Sequence, residues 1–220
     1  MRAIVLAAGK GTRMKSERTK VLHELCGRAM LWYVVRALRG AGASDILVVT
    51  NDEVQARVAE FGVAGVLQGE QLGTGHAVRV ALGALEPRAG AILVASGDMP
   101  LVTPELFGSV AAALDGNDSA PMALVTVRLP VTSSFGRIVR NGDAVERIVE
   151  VRDASPAQLA IDEMNAGIYA FDEAALREVV TRIGCDNAQR EYYLTDAVGH
   201  FVRDGRCVRS VGAADSQEVL

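Results

Sequence analysis

The residues best suited to chemistry lie in the run Leu6-Ala7-Ala8-Gly9-Lys10-Gly11-Thr12-Arg13-Met14, with Lys20 seven positions after the arginine. Gly9 and Gly11 permit a sharp backbone turn, and consecutive N–H groups in such a turn form an anion-binding concavity. Arg13 offers a forked cation matched to phosphate oxygens, and Lys20 a mobile point charge. This set suits attack on the α-phosphorus of a nucleotide, where charge accumulates on departing pyrophosphate and catalysis is mostly positioning and electrostatics. The run is not a P-loop, since GxxxxGK[ST] is absent, and Met14 stands where the third glycine of a GxGxxG fingerprint belongs. A plain glycine turn with solvated basic residues is the competing reading. The apolar strand before the turn and the basic pair after it favour phosphate binding.

A second candidate is Asp98, which follows the apolar run Ala91 to Ala95 and the turn Ser96-Gly97. A carboxylate emerging at a strand end is a hard oxygen ligand for Mg²⁺, which takes one or two carboxylates plus phosphate oxygens and waters. Asp98 lies too far ahead of the helix expected after Pro104 to cap it, so the metal role is preferred over capping.

These residues need elements to position them. Ala3 to Ala7 is a continuous apolar run ending in glycines, as for a strand buried on both faces. Leu31, Val34, Val35 and Leu38 mark a helix stopped by Gly40 and Gly42. Ile46 to Val49 is a strand, Thr50-Asn51-Asp52 supply N-cap candidates, and Val54, Val58 and Phe61 mark the next helix face. Gly65 to Gln68 is a short strand, Thr74 to Leu85 a helix, Ala91 to Ala95 a strand, and Leu106, Val110 and Leu114 a helix face. The βαβα order predicts an α/β fold, a Rossmann-like, mostly parallel twisted sheet flanked by helices, with ligands outside the carboxyl ends of the strands. The stretches Ala7-Ala8-Gly9, Gln68-Gly69-Glu70 and Gly97-Asp98 all fall at such ends.

After 115–121 the texture changes. Strand-like runs cover Ala123 to Arg128, Gly136 to Val139, Val145 to Val151 and Gly167 to Phe171, with Asn141-Gly142 a hairpin signal. Helices follow near Glu173 to Ile183 and Thr195 to Asp204, then a strand around Cys207 to Val211. One unit over 1–220 is expected, with a nucleotide-binding lobe at 1–114 and a sugar-binding lobe at 115–220 that extends the sheet over the ligand edge.

Composition narrows the class. With 23 Lys and Arg against 27 Asp and Glu, well mixed, there is no basic excess for a general nucleic-acid surface. No apolar run approaches the ~20 residues of a membrane span, and MRAIVLAAG runs into the glycine turn without a signal cleavage region. Cys26, Cys185 and Cys207 are odd in number and widely spaced, which predicts small buried thiols in a reducing compartment, the cytoplasm by default.

LAAGKGTRM with its following lysine resembles the sugar-nucleotide pyrophosphorylases, a branch of the nucleotide-diphospho-sugar transferases. VLQGEQLGTGHA, VASGDMPL, FGRIV, RIVEVRDA, EMNAGIYAF and NAQREYYLTD occur in the order found in the uridylyltransferase domain of bifunctional bacterial N-acetylglucosamine-1-phosphate uridylyltransferase / glucosamine-1-phosphate acetyltransferases. The similarity covers nearly the whole chain, and QLGTGHA with EYYLTD is its most specific part. The opening motif alone would also fit molybdopterin guanylyltransferases and the cytidylyltransferases of isoprenoid synthesis.

The resemblance implies a GT-A-like fold and Mg²⁺-dependent transfer from UTP to N-acetylglucosamine-1-phosphate, giving UDP-N-acetylglucosamine for cell-wall precursors. It implies nucleotide contacts by Leu6, Ala7, Ala8 and Gly9, by Gln68 at the uracil edge, by Gly73 and Thr74, and by Ser96 and Gly97. Sugar contacts fall on Gly136, Glu150, Asn165, Tyr193 and Thr195, with Tyr193 packing and Thr195 capping as simpler alternatives. Arg13 and Lys20 take the catalytic roles and Asp98 the metal. His76 has no need to act as a base, since a sugar phosphate is already an anion, and is read as structural. Neither a nucleic acid nor a membrane is an implied partner. Trimers in the family go with a C-terminal β-helix of hexapeptide repeats, which this sequence lacks.

Four departures stand out. Ser96 replaces a common Tyr, Ala166 a common Thr, and Arg190 a common Gly beside the sugar region. The family also has a second metal-binding Asn shortly beyond a segment like SQEVL, where this sequence ends at Leu220. They keep two alternatives open: a related nucleotidyltransferase for another sugar phosphate or base, and a catalytically weak nucleotide-sugar binding module.

Overall fold

The computed structural model describes residues 1–9, 11, 14, 16, 18–115 and 120–220. In chain order they form β1 (Arg2–Ala7), β2 (Glu24–Leu25), β3 (Arg28–Ala29), α1 (Met30–Gly40), β4 (Asp45–Thr50), α2 (Asp52–Arg57), β5 (Ala64–Leu67), α3 (Thr74–Ala84), β6 (Ala91–Ser96) and α4 (Pro104–Ala112). Then follow β7 (Met122–Arg128), β8 (Arg137–Asn141), β9 (Ala144–Val149), α5 (Pro156–Leu159), β10 (Glu163–Asp172), α6 (Glu173–Arg182), α7 (Asp196–Arg203) and β11 (Val208–Gly212).

One sheet runs through both halves of the chain in the order β11-β7-β10-β6-β1-β4-β5. β6, β1, β4 and β5 are mutually parallel, and β11 is parallel to β7. β10 is antiparallel to both β6 and β7, so only it runs against the other strands of that path. Because β1 lies between β6 and β4, successive connections leave it on opposite sides, and a crevice opens at the carboxyl ends there.

The uninterrupted apolar character of β1 is explained by its two covered faces. Ala3, Val5 and Ala7 pack with Leu31, Val34 and Leu38 of α1 and Phe107 and Val110 of α4. Ile4 faces the other way, into a cluster with Val78 and Ala81 of α3, Leu176 and Val179 of α6, and Val198 and Phe201 of α7. Helix starts follow local chemistry. The Asn51 side chain accepts from Val54 N at 2.9 Å, Thr103 caps α4 by accepting from Leu106 N with Pro104 behind it, and Asp172 caps α6. Asp98 caps nothing, as its spacing from Pro104 required.

Two differences from the sequence reading have physical causes. β10 begins at Glu163 rather than Gly167, and its register with β7 shifts between Asn165 and Tyr169, where Gly167 takes φ 76. Asn and Gly interrupt the apolar pattern because the strand bulges there, and bulges bend a strand and re-aim its side chains. The cysteines are not buried: Cys26 and Cys207 are exposed and Cys185 is half-buried. Cys26 sits in the tight β2–β3 turn with φ 49, beside Gly27 at φ 77; turn geometry, not core packing, decides its exposure. No described helix is long and apolar enough to cross a membrane.

Candidate active site

The three strand ends singled out from sequence converge on one cleft of about 710 Å³. Leu6 lies at the end of β1 with Ala8 and Gly9 just after it, Gln68 follows β5, and Ser96 ends β6 with Asp98 two residues on; all line it, together with Lys20. The turn after β1 is fixed from behind. Ala8 O accepts from Gln71 Nε2 at 2.7 Å and from Asn51 Nδ2 at 3.3 Å. Thr19 donates its N–H and hydroxyl to Glu53 at 2.8 and 2.6 Å, which anchors the residue before Lys20. Gly11, at φ 60, lies so close to Lys20 that a Cβ there would meet Lys20 Cβ at 2.7 Å. The second glycine of the motif is therefore needed for Lys20 to reach the cleft. Arg13 lies outside the described residues.

Lys20 Nζ donates to Asp98 Oδ2 at 2.7 Å, and Ser96 Oγ donates to Asp98 Oδ1. Burial alone would raise the Asp98 pKa, but the Lys20 ammonium and the Ser96 hydroxyl more than offset it and hold the carboxyl below its ordinary range. Asp98 is thus an anion with a cation beside it, in the cleft that Gly9 also lines. Among the described residues no group of three or more His, Cys, Asp or Glu could hold a metal ion. A divalent ion here would rest on Asp98 and on ligand phosphates, which is the coordination Mg²⁺ favours. The donor set fits.

Gln68 is 5 % exposed. Its Nε2 lies 3.3 Å from Gly73 O and 3.0 Å from His76 Nδ1. Gly73 and Thr74 join it in the wall. This loop is tied to the distant EYYLTD segment: Tyr192 N donates to Leu72 O at 2.8 Å, Gly75 N to Tyr192 O at 2.7 Å, and Leu194 N to Thr74 Oγ1 at 3.0 Å. A Cβ on Gly73 would meet Tyr192 O at 2.7 Å, and one on Gly75 at 2.9 Å. The glycines of QLGTGHA are there because another backbone passes over them.

The cleft is also lined by Gly136, Glu150, Asn165 and Thr195. Thr195 Oγ1 donates to Glu150 Oε1 at 3.0 Å and makes no side-chain cap for α7, so its hydroxyl orients the carboxylate instead of capping the start of the helix. Burial raises the Glu150 pKa; the Thr195 hydroxyl lowers it, while Asp196, Asp153 and Glu191 push it up again. Gly136 approaches so closely that its Cβ would sit 3.3 Å from Glu150 Oε2. Asn165 accepts from Gly167 N at 3.2 Å and donates to Tyr169 Oη at 2.7 Å. Burial raises the Tyr169 pKa, so it remains a neutral phenol.

Three expected residues stand behind the cleft. Ala7 is buried, Gly97 N donates to Leu6 O at 2.9 Å, and Tyr193 is buried with its hydroxyl accepting from Gln189 Nε2 at 2.6 Å. Tyr193 therefore packs, as its simpler alternative had it. Sequence reasoning missed Gln71, Met99, Phe135, Tyr169 and Glu191 as lining residues. The one available signal was their adjacency to motif residues, which does not say which way a side chain turns. Arg190 is exposed, outside the cleft wall, and holds φ 55, where the family's glycine would be at ease.

A model of the MobA-like NTP transferase domain matches residues 3–130. The chain is 46% identical to the bifunctional protein GlmU of Trichlorobacter lovleyi, over 99% of this chain and 48% of that protein. The corresponding values are 44%, 99% and 47% for Syntrophotalea carbinolica, and 40%, 99% and 48% for Clostridium perfringens strain ATCC 13124. The chain spans about half the length of the curated relatives it matches. The solved inositol-1-phosphate CTP transferase from T. maritima shares the fold, with a TM-score of 0.71 at 16% identity over 96% of this chain and 84% of that one.

Proposed function

The chain belongs to the family of MobA-like NTP transferase domains, and from that premise we propose that it transfers a uridylyl group from UTP to N-acetylglucosamine-1-phosphate. The products are UDP-N-acetylglucosamine and pyrophosphate, made in the cytoplasm for cell-wall precursors. The observation that carries this reading is that one cleft is lined both by Gly9, the Lys20–Asp98 pair and Gln68 and by Glu150, Asn165 and Thr195. Similarity of nearly this whole chain to about half the length of the GlmU proteins supports it.

The base rests against Leu6, Ala8 and Gly9, with Gln68, Gly73 and Thr74 at its edge and Ser96 beneath the ribose, while Ala7 and Gly97 support this wall from behind. Glu150 accepts from sugar hydroxyls and Asn165 donates to and accepts from the sugar, beside Gly136. The sugar phosphate, already ionised, attacks the α-phosphorus in line and needs no general base. A new P–O bond forms, the bond to the β-phosphate breaks, and pyrophosphate leaves toward Lys20 and Arg13. Mg²⁺, when held by Asp98, neutralises phosphate charge.

The test is pyrophosphate release across four nucleoside triphosphates and several sugar-1-phosphates, with and without Mg²⁺. Release should be fastest with UTP plus N-acetylglucosamine-1-phosphate and should need the metal. Preference for another pair would overturn the substrate assignment, and tight UDP-sugar binding without release would make the chain a binding module.

A further inference from the structure

His76 stands on the first turn of α3, outside the groups that wall the cleft, yet its Nδ1 is 3.0 Å from the Gln68 amide nitrogen. The other neighbour of that nitrogen, Gly73 O at 3.3 Å, can only accept. The Gln68 atom facing it must therefore be the NH₂ group, since the reversed amide would set two acceptors against each other. His76 Nδ1 faces the same NH₂ and is therefore assigned as its acceptor, with the ring N–H on Nε2. Both amide hydrogens are then engaged. Gln68 Oε1 accepts nothing from the described residues, and Gln68 lines the cleft.

We infer that His76 is a specificity-determining positioning residue. By holding the Gln68 NH₂ it leaves the cleft a lone acceptor, which, placed opposite the ring N3, selects a nucleobase whose N3 carries a proton. Uracil has one in its N3–H imide. Cytosine presents an unprotonated N3 there and meets the Gln68 oxygen acceptor to acceptor. Without the imidazole only the longer contact with Gly73 O still opposes a half-turn of the amide, and that half-turn would offer cytosine a donor. The inference rests on the proposed placement of the base at Gln68.

The experiment measures kcat/KM for UTP and for CTP, with thermal melts, in the unaltered protein and in His76→Phe, His76→Leu, His76→Asn and Gln68→Ala. His76→Phe keeps a ring beside Tyr192, whose centroid lies 6.4 Å from that of His76, but removes the acceptor. The UTP:CTP ratio should fall about five- to tenfold in His76→Phe and His76→Leu, the worth of one net hydrogen bond. In His76→Asn, whose Oδ1 replaces Nδ1 as acceptor, it should stay within about twofold, because the acceptor is restored. Packing damage alone would lower both kcat/KM values together and leave the ratio unchanged. An unchanged ratio in both His76→Phe and His76→Leu, while Gln68→Ala shifts it, overturns the role of His76 and spares the base placement. An unchanged ratio in Gln68→Ala overturns the base placement itself.

Discussion

Replacing Gly73 by alanine tests whether the loop before α3 is held by its approach to the segment around Tyr192. An added Cβ would lie 2.7 Å from Tyr192 O, 2.9 Å from Tyr192 N and 3.0 Å from Glu191 Cβ. Two of these are backbone atoms that cannot rotate aside. Gly73 also holds φ 107 and ψ 176, a region essentially confined to glycine, where another residue costs about 1–3 kcal/mol. Overpacking adds about 1–3 kcal/mol. Any shift that relieves the clash lengthens the bonds from Tyr192 N to Leu72 O and from Gly75 N to Tyr192 O. The combined loss is about 2–6 kcal/mol, a large share of the ~5–15 kcal/mol that holds a typical domain together. Gly69 in the same stretch is the control: a Cβ there meets no atom within 4 Å, so Gly69→Ala should stay within about 0.5 kcal/mol. Urea melts of the two variants against the unaltered protein, fitted for midpoint and slope, supply the measurement. A Gly73→Ala midpoint no lower than that of Gly69→Ala would refute the close-approach argument.

Other outcomes follow from the same geometry. Lys20→Ala should lower turnover by about 10²-fold or more, as loss of an electrostatic donor does, while thermal stability barely moves, because the half-exposed pair with Asp98 is worth only about 0–1 kcal/mol; near-normal turnover removes Lys20 from the mechanism. Glu150→Gln should weaken sugar-phosphate binding yet stabilise the fold at pH 8. A raised carboxyl pKa means that the native state keeps a proton the unfolded chain releases. Stability therefore falls as pH climbs from the unfolded value, about 4.3, through the raised native one, and stays low above it. The gain from Gln should vanish below about pH 4, and an equal difference in Tm at both pH values would contradict it. Arg190→Gly should stabilise by up to about 1 kcal/mol, the relief of a left-handed conformation less the added freedom of unfolded glycine. A lower Tm would show that the Arg190 side chain holds more than its backbone costs.

Local physics made much of the fold readable. Apolar runs at Ala3–Ala7, Ile46–Val49 and Ala91–Ala95 are strands because each is covered on both faces, and Gly11 is a glycine because a Cβ there would run into Lys20. Asn51 was legible as a cap from its place before an apolar period, and Asp98 as a cleft carboxylate from its place after a strand. The bulge in β10 was not legible, because Asn165 and Gly167 look like the end of a strand when they are its bend. The exposure of Cys26 was hidden for the same reason: a tight turn overrides the usual burial of a thiol.

By itself the amino-acid order determined the main alternation of strands and helices in the first half, the strand ends that line the cleft, and the types of group available there. What it could not contain was the pairing of residues 72–75 with 192–194, more than a hundred positions apart, since no local preference encodes which backbones meet. Only the folded chain turned Tyr193 inward and Tyr169 toward the cleft, and only there do Gly73 O and His76 decide which end of the Gln68 amide points at a ligand. Side-chain direction at such a site is set by hydrogen-bond partners that long-range packing delivers, and those partners exist only once the fold has closed.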